Sequence, residues 1–176
     1  MLKAIIAIII IAILGVLGYA AISPDHFRVE RTATIAAPPE KIFPLINDLR
    51  QWTAWSPWEK IDPALKRSYS GPKEGVGAAY SWQGNNEVGV GRMQITESDP
   101  NARVEIKLDF QMPFEAHNTA EFTLHPQNGS GTQVTWAMYG PSPYTHRLMQ
   151  LVFDMDDMVG GKFEQGLNNL KTAAEK

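Results

Sequence analysis

The chain has 176 residues, with 16 basic against 19 acidic side chains, a net charge of −3 and no cysteine. The missing cysteine excludes disulfides, iron–sulfur clusters, thiolate zinc sites and a cysteine nucleophile. The charge balance, with no Lys/Arg-rich run, speaks against a nucleic acid partner.

The N-terminus carries one charged side chain, Lys3, followed by an uncharged apolar run from Ala4 to Ile22 that ends at Ser23-Pro24. As a helix rising about 1.5 Å per residue, this run reaches about 28 Å, close to the roughly 30 Å hydrocarbon core of a bilayer. It is therefore expected to be a single transmembrane anchor, residues 1–26 including a short linker, ahead of a domain at residues 27–176. A cleaved secretory signal is the competing reading, because Gly18, Ala20 and Ala21 are small enough to sit near a cut. Such a signal has a shorter apolar stretch, about 7–15 residues, and a more basic start. Lys3 against Arg28 and Arg31 is nearly a draw for the positive-inside bias; a cytoplasmic N-terminus with an extracytoplasmic domain is the expectation.

FRVERTATI, Phe27 to Ile35, alternates apolar and polar residues and predicts a strand, with Arg31 the one break in its apolar row. Pro39 opens a helix that carries Ile42, Phe43, Ile46 and Leu49 at helical spacing. A second short helix or turn follows from Arg50 to Trp55 and stops at Ser56-Pro57. Six strands come next, at residues 66–70, 78–83, 88–98, 103–110, 114–125 and 132–139, separated by Gly, Pro, Asn and Asp turns that join antiparallel neighbours. Alternation places Tyr80, Trp82, Met93, Ile95, Val104, Ile106, Leu108, Phe110, Phe122, Leu124, Val134, Trp136 and Met138 on one face. Arg103, Glu105, Lys107, Asp109, Glu121, Thr123 and His125 fall on the other. A long helical pattern from about Tyr144 to Ala174 covers the apolar face, interrupted by Gly160-Gly161, where a bend or a close approach to the sheet is expected. The class is α+β: a curved antiparallel sheet wrapped around a C-terminal helix.

WTAWSPWEKIDP after the first helix, GVGAAYSWQGNNEVGVGRM in the middle hairpin and GGKFEQGLNNLK in the last helix stand in an order that resembles the START-like (SRPBCC) superfamily. Within it, the polyketide cyclase/dehydrase branch is the most similar. The resemblance covers nearly all of residues 27–176 and implies a helix-grip cup with an apolar cavity between sheet and helix. It does not select a reaction, since the superfamily includes lipid carriers, binders and cyclases.

Trp52, Trp55 and Trp58, spaced by three, either plug one end of the cup or line its entrance. Tyr80, Trp82, Met93, Phe110, Trp136, Met138, Met149 and Phe153 are expected to project into the same interior, as core or as cavity wall. Asn118 is a polar exception in an apolar row and either pairs with backbone or offers a ligand a hydrogen bond. Glu59 and Asp62 are expected to be solvated loop carboxylates. His26, His117, His125 and His146 have no metal-ligand spacing, FDMDDM is not a calcium loop, and VGVG lacks the Lys-Ser/Thr of a phosphate loop. No metal or other cofactor is expected, and neither a nucleophile elbow nor a carboxylate pair is visible.

The expected ligand-binding residues are thus Trp52, Trp55, Tyr80, Trp82, Met93, Phe110, Asn118, Trp136, Met138, Met149 and Phe153. The expected partners are a hydrophobic small molecule or lipid and the membrane, through residues 4–22. Two further readings stay open: a cyclase/dehydrase-like enzyme, and a non-catalytic partner domain of a membrane complex with a filled core and an exposed apolar patch.

Overall fold

The computed structural model describes residues 2–127, 129, 131–150 and 156–176, without the side chains of residues 4, 149, 150 and 157. Helix α1 (Leu2–Ile22) leads into β1 (His26–Ile35). Then come α2 (Pro39–Asn47), a 3-10 turn, α3 (Trp52–Trp55) and a second 3-10 turn, Pro57–Lys60. Strands β2 (Lys66–Ser70), β3 (Ala79–Gln83), β4 (Val90–Asp99), β5 (Arg103–Met112), β6 (Ala116–Pro126) and β7 (Thr132–Pro141) follow, then α4 (Tyr144–Gln150) and α5 (Gly161–Ala174).

The strands form one seven-stranded sheet in the order β1-β7-β6-β5-β4-β3-β2, every neighbouring pair antiparallel. Register shifts in the β4–β5 pair, next to Val90 and next to Ile95, bend the sheet, because an extra residue on one strand increases local twist. The apolar row read from the sequence is the concave face: Tyr80, Met93, Ile95, Val104, Ile106, Phe122, Leu124, Val134, Trp136 and Met138 are all buried. α2 and α5 lie in that concavity, bringing Ile42, Phe43 and Ile46 from one helix and Phe163, Leu167 and Leu170 from the other. The outer face is polar. On it Arg103 donates to Glu97, Glu105 and Glu121 across three strands. This is a helix-grip fold.

The predicted continuous helix over residues 144–174 differs in the structure. A π-helical turn, Asp156–Gly160, precedes α5, and it is tied to Arg31, the break in the apolar row of β1. Its guanidinium donates two hydrogen bonds to Asp156, both 2.8 Å, and one to Glu164 at 2.7 Å. A Cβ on Gly160 would lie 2.2 Å from Arg31 Nη2, so a larger residue there would force the guanidinium to shift. The wider π turn delivers the carboxylate of Asp156 to it. Gly161 has open space around it, and nothing in the structure explains its identity.

The linker is also tighter than expected. β1 begins at His26. The Ser142 N–H donates to the Asp25 carbonyl at 2.6 Å, Tyr144 Oη donates to the Leu17 carbonyl at 3.1 Å, and Arg147 Nη1 donates to the Ala21 and Ser23 carbonyls at 3.2 and 2.9 Å. A cation on the last carbonyls satisfies the C-terminal end of a helix and its dipole. The end of α1 is therefore clamped to the start of α4, and the window Ile5–Ile22 is only 6% buried. By length and composition this helix is long and apolar enough to cross a membrane.

Candidate functional site: an apolar cavity under the C-terminal helix

The three tryptophans after α2 are positioned locally. Asp48 accepts from Arg50 N at 3.0 Å and starts the 3-10 turn that leads into α3. The indole N–H groups of Trp52 and Trp55 donate back to the Ile46 and Leu45 carbonyls at 2.9 and 2.8 Å, which satisfies carbonyls near the α2 C-terminus. Trp58, on the following 3-10 turn, sets its ring edge-on to Trp136 at 5.6 Å and Phe163 at 6.0 Å.

Between these indoles, the sheet and the start of α5 lies a cavity of about 440 Å³. One half of the concave face is packed solid by Phe122, Leu124, Val134, Val104 and Ile106 against the helices. The other half stays open, because β6 contributes only the methyl group of Ala120 there, opposite Met138. Trp82, Met93, Leu108, Phe110, Ala120, Trp136 and Met138 form the sheet wall, and Met158, Val159, Lys162 and Phe163 close it from the helix side. A volume of several hundred Å³ with mainly apolar and aromatic walls is the profile of a small-molecule site.

Trp82 owes its position to a glycine. It faces Gly91 across the β3–β4 pair, and a Cβ there would lie 2.5 Å from the indole ring. The ring instead folds over the strand, donates to the Val88 carbonyl at 3.2 Å and meets Phe110 edge-on at 5.7 Å.

The wall is mainly apolar, with Ser56, Glu59, Glu87 and Lys162 as its polar members besides Tyr80, and Glu59 is the buried carboxylate among them. Glu59 lines the cavity, yet its side chain is only 6% exposed. Its carboxylate accepts from Arg67 Nε at 2.6 Å and from Tyr80 Oη at 2.7 Å, while Arg67 Nη2 also donates to the Glu59 carbonyl at 3.1 Å. Burial, with the neighbouring Glu59 carboxylate, pushes the Tyr80 phenol far above its ordinary range, so this hydroxyl stays protonated and acts as a donor. Asp62 is also buried and accepts from Ala64 N at 2.8 Å and Asn85 N at 2.7 Å, which ties the loop before β2 to the β3–β4 turn at the same end of the β2–β3 pair. The expectation of two solvated loop carboxylates is thus corrected. Two of their partners, Tyr80 on β3 and Asn85 in the β3–β4 turn, lie more than 20 residues away in the sequence.

Of the predicted residues, Trp52, Tyr80, Trp82, Met93, Phe110, Trp136 and Met138 line the cavity. Trp55 does not: it is fully buried behind Trp52 and stacks edge-on with Phe122 and Trp136. Asn118 does not either. It sits on the inner row, but its amide fills the space over Gly140, where an added Cβ would meet Oδ1 at 2.4 Å. Phe153 and the Met149 side chain lie outside the described residues. Leu108 was on the apolar row and Trp58 in the tryptophan triplet, so the signal for them was present; Phe163 falls within the predicted C-terminal helix. Ala120 carried no signal, since its importance is the volume it leaves empty. Among the described residues no His/Asp/Glu cluster has the makings of a metal site.

Arg31 ties β1 to the π turn that carries the cavity residues Met158 and Val159. Arg31→Ala should leave the fold in place and accelerate amide hydrogen exchange over residues 158–163, because the π turn loses its tie to β1; unchanged exchange there would show the clamp to be idle.

No curated protein matches the chain. Solved structures do, at the level of the fold. Protein CV1439 from Chromobacterium violaceum is 16% identical with a TM-score of 0.59, over 88% of this chain and 99% of that one. The Aha1 dimer from Colwellia psychrerythraea is 21% identical with a TM-score of 0.61, over 85% and 96%. The Zhui aromatase/cyclase from Streptomyces sp. R1128 is 16% identical with a TM-score of 0.60, over 85% and 94%. The family described as Polyketide cyclase / dehydrase and lipid transport matches residues 26–175, nearly all of the chain beyond α1. On that match, the protein belongs to the polyketide cyclase/dehydrase and lipid transport family.

Proposed function

We propose that this protein binds a hydrophobic small molecule or lipid in the cavity between sheet and α5, and that α1 anchors the domain to a membrane. The observation that carries the reading is the apolar cavity of about 440 Å³. Burying roughly 300 Å² of apolar ligand surface at about 25 cal/mol per Å² is worth about 7–8 kcal/mol before the costs of association. The Glu59–Tyr80 pair, a buried polar contact on a mainly apolar wall, orients a ligand whose polar end reaches it. Native mass spectrometry of the full chain released from detergent tests this. One retained hydrophobic molecule per chain supports the proposal; a chain that sheds all adducts under mild activation counts against it.

The same pair favours a second reading, an enzyme of the cyclase/dehydrase type, because Glu59 and Tyr80 place a carboxylate and a phenol 2.7 Å apart on the cavity wall. Tyr80→Phe separates the two. Losing one charge-assisted hydrogen bond should cost about 1.5–3 kcal/mol of stability. For a carrier, affinity for a wholly apolar ligand stays unchanged; for an enzyme, turnover of an aromatic polyketide falls while its binding persists.

A further inference from the structure

The Met112 corner of the cavity wall lies at the same end of the sheet as the exit of α1, as the strand register shows. β1 starts beside the end of β7, with His26 opposite Pro141. β7 ends beside the start of β6, with Tyr139 opposite Thr119. β6 starts beside the end of β5, with Ala116 opposite Phe110, and β5 ends beside the start of β4, with Met112 opposite Val90. The turn after Met112 therefore sits on the edge of the sheet that faces α1, three interstrand spacings away, roughly 14 Å.

That end carries the exposed Met112 and Phe114, and the π turn adds Met158 to the same cavity wall as Met112. Met112 is 56% exposed, Phe114 62% and Met158 62%, and Met112 and Met158 belong to the cavity wall itself. α1 sets the height of this rim. Tyr144 hydrogen-bonds the Leu17 carbonyl, five residues inside the end of α1, roughly 7–8 Å along its axis. The domain thus overlaps the last turns of the apolar helix and does not hang below it. Arg147, on the Ala21 and Ser23 carbonyls, sits where a cation reaches the interfacial region.

We propose that Met112, Phe114 and Met158 form a rim that seats on the lipid surface, so that the cavity opens into the bilayer and exchanges its ligand with it. The inference rests on the reading of α1 as a bilayer span. The bilayer is the occupant because the chain itself brings it there: a helix ending at Ile22 and clamped to α4 holds the rim at interface depth whenever α1 is inserted.

The absence of native cysteine allows a clean test on the full chain in phosphatidylcholine nanodiscs. Single nitroxides are placed at Phe114→Cys, Met158→Cys, Val76→Cys and Ile13→Cys. Val76, 60% exposed, lies in the β2–β3 loop at the opposite end of the sheet. The proposal expects oxygen collisions to exceed those of a water-soluble nickel chelate at 114, 158 and 13, and the reverse at 76. If 13 is immersed while 114 and 158 are as water-accessible as 76, the docking rim is overturned and the anchor stands. If 13 itself is water-accessible, the bilayer span fails and the docking proposal fails with it.

Discussion

Trp136→Ala should destabilise the protein by about 3–5 kcal/mol, the range for removing a large buried aromatic. Trp136 is 2% exposed and stacks on Phe163 at 4.2 Å and on Phe122 at 4.9 Å, with Trp52, Trp55 and Trp58 edge-on around it. It is where sheet, tryptophan turns and α5 meet. Its indole N–H is buried without a hydrogen-bond acceptor among the described residues, so the loss is one of packing and not of a polar contact. Trp136→Phe keeps a ring in the stack and should recover more than half of the stability. A urea midpoint measured by near-UV circular dichroism reads both. Against a typical total of about 5–15 kcal/mol, the alanine variant approaches the threshold of folding; a loss under about 1 kcal/mol would remove Trp136 from the centre of the core.

The second large effect is on the cavity. Ala120→Phe sends a ring into space that is empty in the structure, so it displaces no packed neighbour. Its stability cost should stay at or below the about 1–3 kcal/mol of an overpacked core. A ligand that loses roughly 100 Å² of apolar contact gives up about 2.5 kcal/mol, close to a hundredfold in affinity. The combination of retained fold and lost binding distinguishes a ligand cavity from a packing defect. A partner domain with a merely imperfect core would gain stability from the same change.

Much of this fold was legible because β-strands write their two faces into alternate positions. The concave row from Tyr80 to Met138 and the charged outer row of Arg103, Glu105 and Glu121 both follow from period two. Even the break at Arg31 was a signal: an inward-facing cation needs a carboxylate, and the helix opposite supplies Asp156 and Glu164. What the sequence could not convey was how residues far apart share space. Trp52 and Trp55 look alike by spacing, and only the placement of α3 puts one against the cavity and the other behind it. Asn118 sits on the right row, but Gly140 gives its amide a place in the packing. Glu59 reads as a loop carboxylate until Arg67 and Tyr80 are brought to it. The cavity itself is a difference between the volume the backbone encloses and the volume the side chains fill, and no local pattern records that difference.

The central claim, that the cavity takes an apolar molecule out of water, is tested most directly by the protein's own fluorescence. All five tryptophans lie in the domain, and Trp52, Trp58, Trp82 and Trp136 line the cavity, so a brominated fatty acid entering it should quench their emission. We predict saturable quenching of the wild-type full chain at about one equivalent, reduced about a hundredfold in apparent affinity by Ala120→Phe. Quenching that never saturates, or that is identical in the two proteins, would contradict the account.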